Sequence, residues 1–217
     1  MSKLTDSEIL LRMDQMRGIA IEGLNYARNP YDEQRYKQLL QVVADLYGNY
    51  LQTPPDALLP RLRQELGSCT PKVGVDVAVR NTAGQLLALR RSDDQTWCLP
   101  CGWVGIGETP DVAAARETLE ESGLSIRIQG AINISVKGPT KNKILHHQLN
   151  ILLISEPVDA QKVILSAEHI DSAWVSDING REWHPGHTEN VEHAKAYMDR
   201  PNRPILKIRT VSNQSRP

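Results

Sequence analysis

The sequence predicts an α+β protein, in which a small N-terminal helical domain over residues 1–68 precedes a mixed α/β domain over 69–200. Three observations predict it. Apolar residues recur every three or four positions through the first seventy residues. From Val73 they alternate instead, in short β-branched runs divided by turn residues. A single well-delimited helix then stands between strand-like segments, the pattern of a layered α/β unit.

The first helix follows from the stripe Ile9, Leu10, Met13, Met16, Ile19, Ala20 and Leu24. A second stripe runs through Tyr36, Leu39, Leu40, Val43, Leu46, Tyr47 and Tyr50. The break between them falls at Asn29-Pro30, because a residue before proline disfavours helical dihedrals. A third, shorter helix is expected after Thr53, with Pro54 or Pro55 in its first turn, a kink or break at Pro60 and Gly67 as its C-terminal stop. So small a bundle rarely stands alone, which predicts packing on the second domain or on a second copy, and hence a homodimer. Strands are expected over 73–80 and 85–91, joined by a turn at Thr82-Ala83-Gly84. A helix from Pro110 to Ser122 is capped by Thr109, strands follow near 124–134, 147–154 and 171–175, and a last helix over 189–197 starts after Thr188 as N-cap. The tail over 201–217, with its Pro, Asn, Arg and Ser, is expected to be partly disordered.

Composition excludes several classes. The net charge is -1, and residues 1–70 hold eight Lys/Arg against nine Asp/Glu, so no basic block offers itself to nucleic acid. No apolar run reaches the roughly 20 residues that span a bilayer, and no signal-peptide core is visible. Three cysteines, Cys69, Cys98 and Cys101, form an odd, sparse set that suits a reducing cytoplasm. Cys98-Leu-Pro-Cys101 reads as C-x-x-C, but zinc would want a second pair of ligands at matching spacing, and none is visible; two thiols flanking a turn is the expectation. His184, His187 and His193 are irregularly spaced around Pro185-Gly186 and are expected at the surface.

The chemistry concentrates between Gly102 and Leu124. Gly102, Gly105 and Gly107 free the backbone for unusual dihedrals or close approach, and the following helix carries Arg116, Glu117, Glu120 and Glu121. Residues three and four apart share a helix face, so the three carboxylates cluster and repel one another. Either the face is simply solvated, or a hard divalent cation such as Mg²⁺ or Mn²⁺ takes these oxygens as ligands.

The run Gly102-x5-Glu108-x7-Arg116-Glu117-Thr118-x-Glu120-Glu121-x-Gly123-Leu124 resembles the Nudix box. Every fixed position matches, and Thr118 alone departs, standing where an aliphatic residue is usual. The lead-in Trp97-Cys98-Leu99-Pro100-Cys101-Gly102-Trp103 is similar too, with Cys101 in place of a glycine. Asn29 to Tyr36 and Thr70 to Val73 look like a Nudix subfamily with an added N-terminal helical domain, which includes CDP-choline and ADP-ribose pyrophosphatases.

The resemblance implies an α/β/α sandwich and metal-dependent hydrolysis of a small-molecule nucleoside diphosphate derivative. It implies Glu117 and Glu121 as first metal ligands, then Glu120, with the backbone at Cys101-Gly102 near the ion. Arg116 is assigned to orienting Glu108 or a neighbouring carboxylate, with phosphate contact as the alternative. Glu168, ahead of His169 to Val175, is the candidate general base beside the box glutamates. Trp97 and Trp103 are candidates for stacking a base or for closing the core, and His146 and His147 for touching a nucleobase or phosphate. Rival readings are a nucleotide-sensing regulator, an isomerase and a hydrolase of RNA ends.

Overall fold

The structure, a computed structural model, describes residues 4–64, 70–137, 147–159, 162–200 and 205–206. The expectations for Gly67, Cys69 and His146, and for the tail apart from 205–206, lie outside these. Contacts divide the chain into two compact units, Met1–Lys72 with Val136–Gln148, and Val73–Ser135 with Leu149–Pro217.

The first unit is helical. Helix α1 spans Asp6–Tyr26, α2 Pro30–Leu51 and α3 Pro55–Leu62. Thr5 and Glu8 close a reciprocal capping box at the start of α1, the Glu8 carboxylate accepting from the Thr5 amide at 2.7 Å. Asn29 caps α2 by accepting from the Asp32 amide at 2.9 Å, while Pro30 sits where a missing N–H costs nothing. Pro60 lies inside α3, and the helix stops two residues later. Leu10, Met13, Val43, Tyr47 and Leu58 form one buried cluster, and Ala20, Ile21 and Leu40 a second, so the two predicted stripes face each other.

The second unit is layered. Strands β1 (Lys72–Val79), β4 (Cys101–Trp103), β5 (Ile126–Lys137) and β6 (Gln148–Pro157) form a sheet in the order β4-β1-β6-β5. β2 (Leu86–Arg91), β3 (Trp97–Cys98) and β7 (His169–Val175) form a second, ordered β3-β2-β7. β1 pairs antiparallel with β4 and runs parallel to β6: Lys72 donates to the His147 carbonyl at 2.9 Å and Arg80 to that of Ser155 at 2.8 Å, an equal offset. The sheet is therefore mixed.

Alternation places a helix on each face. Val75, Val77, Leu87 and Leu89 pack with Ala113 and Ala114 of α4 (Pro110–Ser122). The intervening Ala78, Leu86 and Ala88 pack with Val191 and Ala194 of α5 (His187–Met198). With both faces covered, these strands are largely apolar on both sides, Asp76 being the buried exception, which blurs the period-2 pattern.

Three local expectations are corrected. Thr109 is extended before α4 but makes no capping hydrogen bond; its hydroxyl donates to Asp111 instead. α5 starts at His187, not after Thr188, because Gly186 takes a left-handed conformation, φ 85°, and turns the chain into the helix. His187 is accordingly buried, not at the surface. Thr118 fills its aliphatic position fully buried, and its hydroxyl has no hydrogen-bond partner among the described residues. Thr118→Val keeps the shape and removes that unpaired group, so it should raise stability by about 1 kcal/mol in a urea titration. No helix among the described residues is long and apolar enough to cross a membrane.

Candidate active site

α4 owes its position to its ends. Pro110 occupies the first turn, and Gly123, φ 71°, takes the left-handed conformation that terminates the helix, its amide donating to Leu119 O at 2.9 Å. Ala113 and Ala114 bring the helix close to the sheet, which directs Glu117 and Glu121 toward the β3–β4 segment.

Glu121 is 6% exposed, and one carboxylate oxygen accepts from the Cys101 amide at 3.0 Å. The other lies 3.9 Å from His169 Nε2. Burial pushes this carboxyl up to about 8, against the opposing influence of His169 and the Cys101 amide; the charges of Glu117 and Glu168 push it further up. Gly102 passes so close to Glu117 that a Cβ there would stand 2.0 Å from the Glu117 carboxyl carbon. The glycine is required by this approach. Gly102→Ala must displace Glu117, and a shift of about 1 Å predicts a roughly 10²-fold loss in kcat/KM with the fold intact by circular dichroism.

Arg116 organises the exposed side of the cluster. Its Nε and Nη2 donate to the two Glu108 oxygens at 2.7 and 2.9 Å, a bidentate pair. Nη1 reaches Glu117 at 2.9 Å and Glu120 at 3.2 Å, and Nη2 also donates to the Trp103 carbonyl at 3.1 Å. Glu108 accepts from the Gly105 amide at 2.8 Å as well, and Arg116 first, then this amide, holds its carboxyl down to about 2. The bidentate pair with Glu108 is the contact that the orienting role would use. Arg116→Lys cannot reproduce the fork, so a 10–100-fold loss of activity is expected in steady-state kinetics, of the size seen when groups that orient metal ligands are removed.

The remaining candidates scatter. Glu168 is exposed, and its charge reaches Glu121. Trp103 is 44% exposed beside the cluster, whereas Trp97 packs into the core facing α5 with the Arg181 guanidinium over its ring at 5.0 Å. His147 belongs to the helical unit, where it lines a cleft with Leu11, Asp14, Gly18 and Pro71. The cavity at the β1–β2 turn, lined by Arg80, Asn81, Glu156 and Trp174, includes none of Glu108, Glu117, Glu120 and Glu121. His169 went unnoticed as a site residue from sequence; its only signal was its place after Glu168 in the segment that becomes β7.

A carboxylate cluster on a helix against a glycine-rich loop, mounted on an α/β/α sandwich, defines a Nudix domain. Residues 70–185 match the NUDIX domain and residues 7–60 the UDP-X-like N-terminal oligomerisation domain, and the chain belongs to the Nudix family. A Bacillus subtilis (strain 168) protein, "Putative ADP-ribose pyrophosphatase YjhB", is 33% identical over 114 residues, 52% of this chain and 54% of its own. A "MutT-like protein" of Streptomyces ambofaciens is 37% identical over 36% of this chain and 46% of its own. The chain thus spans about half the length of the curated relatives it matches. A solved structure of UDP-X diphosphatase shares the fold at 15% identity and a TM-score of 0.53, over 92% of this chain and 98% of that one.

Proposed function

We propose that the chain is a Mg²⁺- or Mn²⁺-dependent pyrophosphohydrolase that cleaves the diphosphate of a nucleoside diphosphate joined to a second moiety. CDP-choline, ADP-ribose and UDP conjugates are the substrate class, and a nucleoside monophosphate is one product. The observation that carries this reading is the approach of Glu117 to Gly102 and of Glu121 to the Cys101 amide, with Glu120 joined to Glu117 through Arg116. The names of the ADP-ribose pyrophosphatase relative and the UDP-X diphosphatase neighbour support the substrate class.

The donor set fits a hard divalent cation. Its groups are carboxylate oxygens, and the missing Cβ of Gly102 leaves space that a side chain would fill. Glu117 and Glu121 would hold the ion, with Glu120 and the backbone at Gly102 beside them. Such an ion would offset the charge of the phosphate oxygens and make an attacking water more acidic. The chain's own residues do the rest. Arg116 fixes Glu117 and Glu108 in place, and Trp103 offers an exposed ring for a base to stack on. Glu168 accepts the proton of the attacking water, while the box glutamates, which repel phosphate by themselves, would act on it only through the cation they hold. Free Cys98 and Cys101 thiols support a reducing, cytoplasmic setting.

The helical unit supports a homodimer, through its match to an oligomerisation domain and through exposed apolar side chains such as Ile19, Val42 and Leu46. Light scattering showing a monomer at micromolar concentration would count against it. Substrate class is tested by hydrolysis of CDP-choline, ADP-ribose, NADH, UDP-sugars, deoxynucleoside triphosphates and 5′-triphosphorylated RNA in Mg²⁺. Selective cleavage of one diphosphate conjugate supports the proposal. Turnover confined to RNA ends or triphosphates, or none across the panel, refutes it.

A further inference from the structure

We propose that Asp76, Cys101 and His187 form a second cation site, on the α5 side of the β1–β4 pair, that takes a borderline transition ion of the Zn²⁺ type. One ligand atom from each lies within 4.8 Å of the other two. Asp76 and Cys101 are direct cross-strand partners on β1 and β4, so their side chains leave the sheet on the same face. His187 reaches them from the first residue of α5, and Asn190, one turn on, donates to the Asp76 carboxylate. The neighbouring pair, Val75 and Gly102, points the other way, toward α4 and Glu117. The two clusters therefore occupy opposite faces of the same strand pair and share only the Cys101 peptide, whose amide donates to Glu121.

Burial is what makes this triad unusual. Asp76 and His187 are each 2% exposed, in a layer otherwise built from Ala78, Leu99, Val191 and Ala194. A carboxylate and an imidazole withdrawn from water are stabilised when a cation joins them. Sulfur, nitrogen and carboxylate oxygen together select a borderline ion over Mg²⁺ or Ca²⁺, which take oxygen alone. A tetrahedral ion of that type sets its donors about 3.4–3.8 Å apart, from metal–ligand lengths of about 2.1–2.3 Å. Binding therefore draws the three donors closer than the 4.8 Å within which they now lie.

The sequence offered half of such a site. Cys98-Leu-Pro-Cys101 has the spacing of a zinc half-site but no second pair near it in the chain. Folding supplies the other half from 25 residues before Cys101 and 86 after it, as Asp76 and His187. The Cys98 thiol is not part of the group: it donates to the Leu89 carbonyl at 3.6 Å and packs in the cluster on the α4 side. Cys101 also occupies the lead-in position where glycine is usual, so a ligand has been added where the fold needs no side chain. Binding replaces the Cys101 thiol proton, which leaves to solvent, and the ion ties α5 to the sheet.

The test uses the full chain, reduced and stripped with chelator, titrated with Co²⁺ as a spectroscopic stand-in for Zn²⁺. The expected result is a near-ultraviolet thiolate-to-cobalt charge-transfer band that saturates at one equivalent, is displaced by Zn²⁺ and resists excess Mg²⁺. Cys101→Gly should abolish the band, whereas Cys69→Ser and Glu121→Gln should keep it. His187→Gln and Asp76→Asn should weaken Co²⁺ by at least about tenfold. If Cys101→Gly does not fold, Cys101→Ser and His187→Gln carry the same readout. A folded protein with no thiolate band, or a band that survives loss of Cys101, overturns the proposal. Cobalt held only by the box glutamates gives weak oxygen-ligand spectra and no such band.

Discussion

Glu121→Gln should abolish most of the hydrolysis while leaving the metal-free fold at least as stable as the parent. On the proposed function this carboxylate holds the cation, and losing a metal ligand would remove several kcal/mol of transition-state stabilisation, roughly 10²–10⁴-fold in kcat. Stability should move the other way because of where the side chain sits. Glu121 is buried and its carboxyl is pushed up to about 8, so near pH 7 the metal-free fold contains it mainly as the neutral acid. Glutamine has the same shape, and its carbonyl can still accept from the Cys101 amide that now bonds Glu121 at 3.0 Å. Initial rates in Mg²⁺ beside urea midpoints in chelator separate the two effects. A variant that loses activity and stability together would assign Glu121 to the core, and one that keeps its activity would remove it from the metal site.

The box was legible because its chemistry is local. Glu117, Glu120 and Glu121 share a helix face through spacing alone, and Thr109-Pro110 and Gly123 delimit that helix in the chain. The helical unit was legible for the same reason, its two apolar stripes meeting as the buried clusters around Val43 and Leu40. β3 and β4 were missed because two and three residues, split by Leu99-Pro100, are too few to show any period. Pro100 still joins the sheet as an acceptor, its carbonyl taking the Val77 amide at 2.8 Å. His169 and Asp76 escaped for a different reason, and the irregular spacing of His187 from the other histidines reads as a surface position. All three reach their partners across strand pairings and helix packing, which the sequence does not display. The early start of α5 belongs here too: Gly186 replaces a side-chain cap with a left-handed turn, and the sequence alone favoured Thr188.

Stability of the metal-free protein should fall as pH rises between about 4.5 and 8, and divalent cation should flatten that slope. Glu121 has a folded pKa of about 8, above its ordinary value of 4.5. Between these values the native state binds a proton that the unfolded chain has released, so stability is fully present below 4.5 and is lost as pH climbs through 8. For a group this buried the linkage is of order a few kcal/mol. Glu108 does not interfere in that window. Its carboxyl is held down to about 2, so its contribution is complete above 4.5 and disappears only in stronger acid. His184 acts with the opposite sign, since burial first, then Arg91, lowers its pKa and favours the native state as pH rises through the unfolded value near 6.5. Comparing parent and Glu121→Gln at each pH cancels that term. Mg²⁺ binding to the parent should release close to one proton near pH 6.5, read as a buffer-dependent enthalpy in calorimetry, and its affinity should rise by up to about tenfold per pH unit across the window. The variant should show neither effect. Equal pH slopes for parent and variant in chelator would mean that Glu121 is already ionised in the metal-free fold, and that its burial is balanced by groups other than the cation.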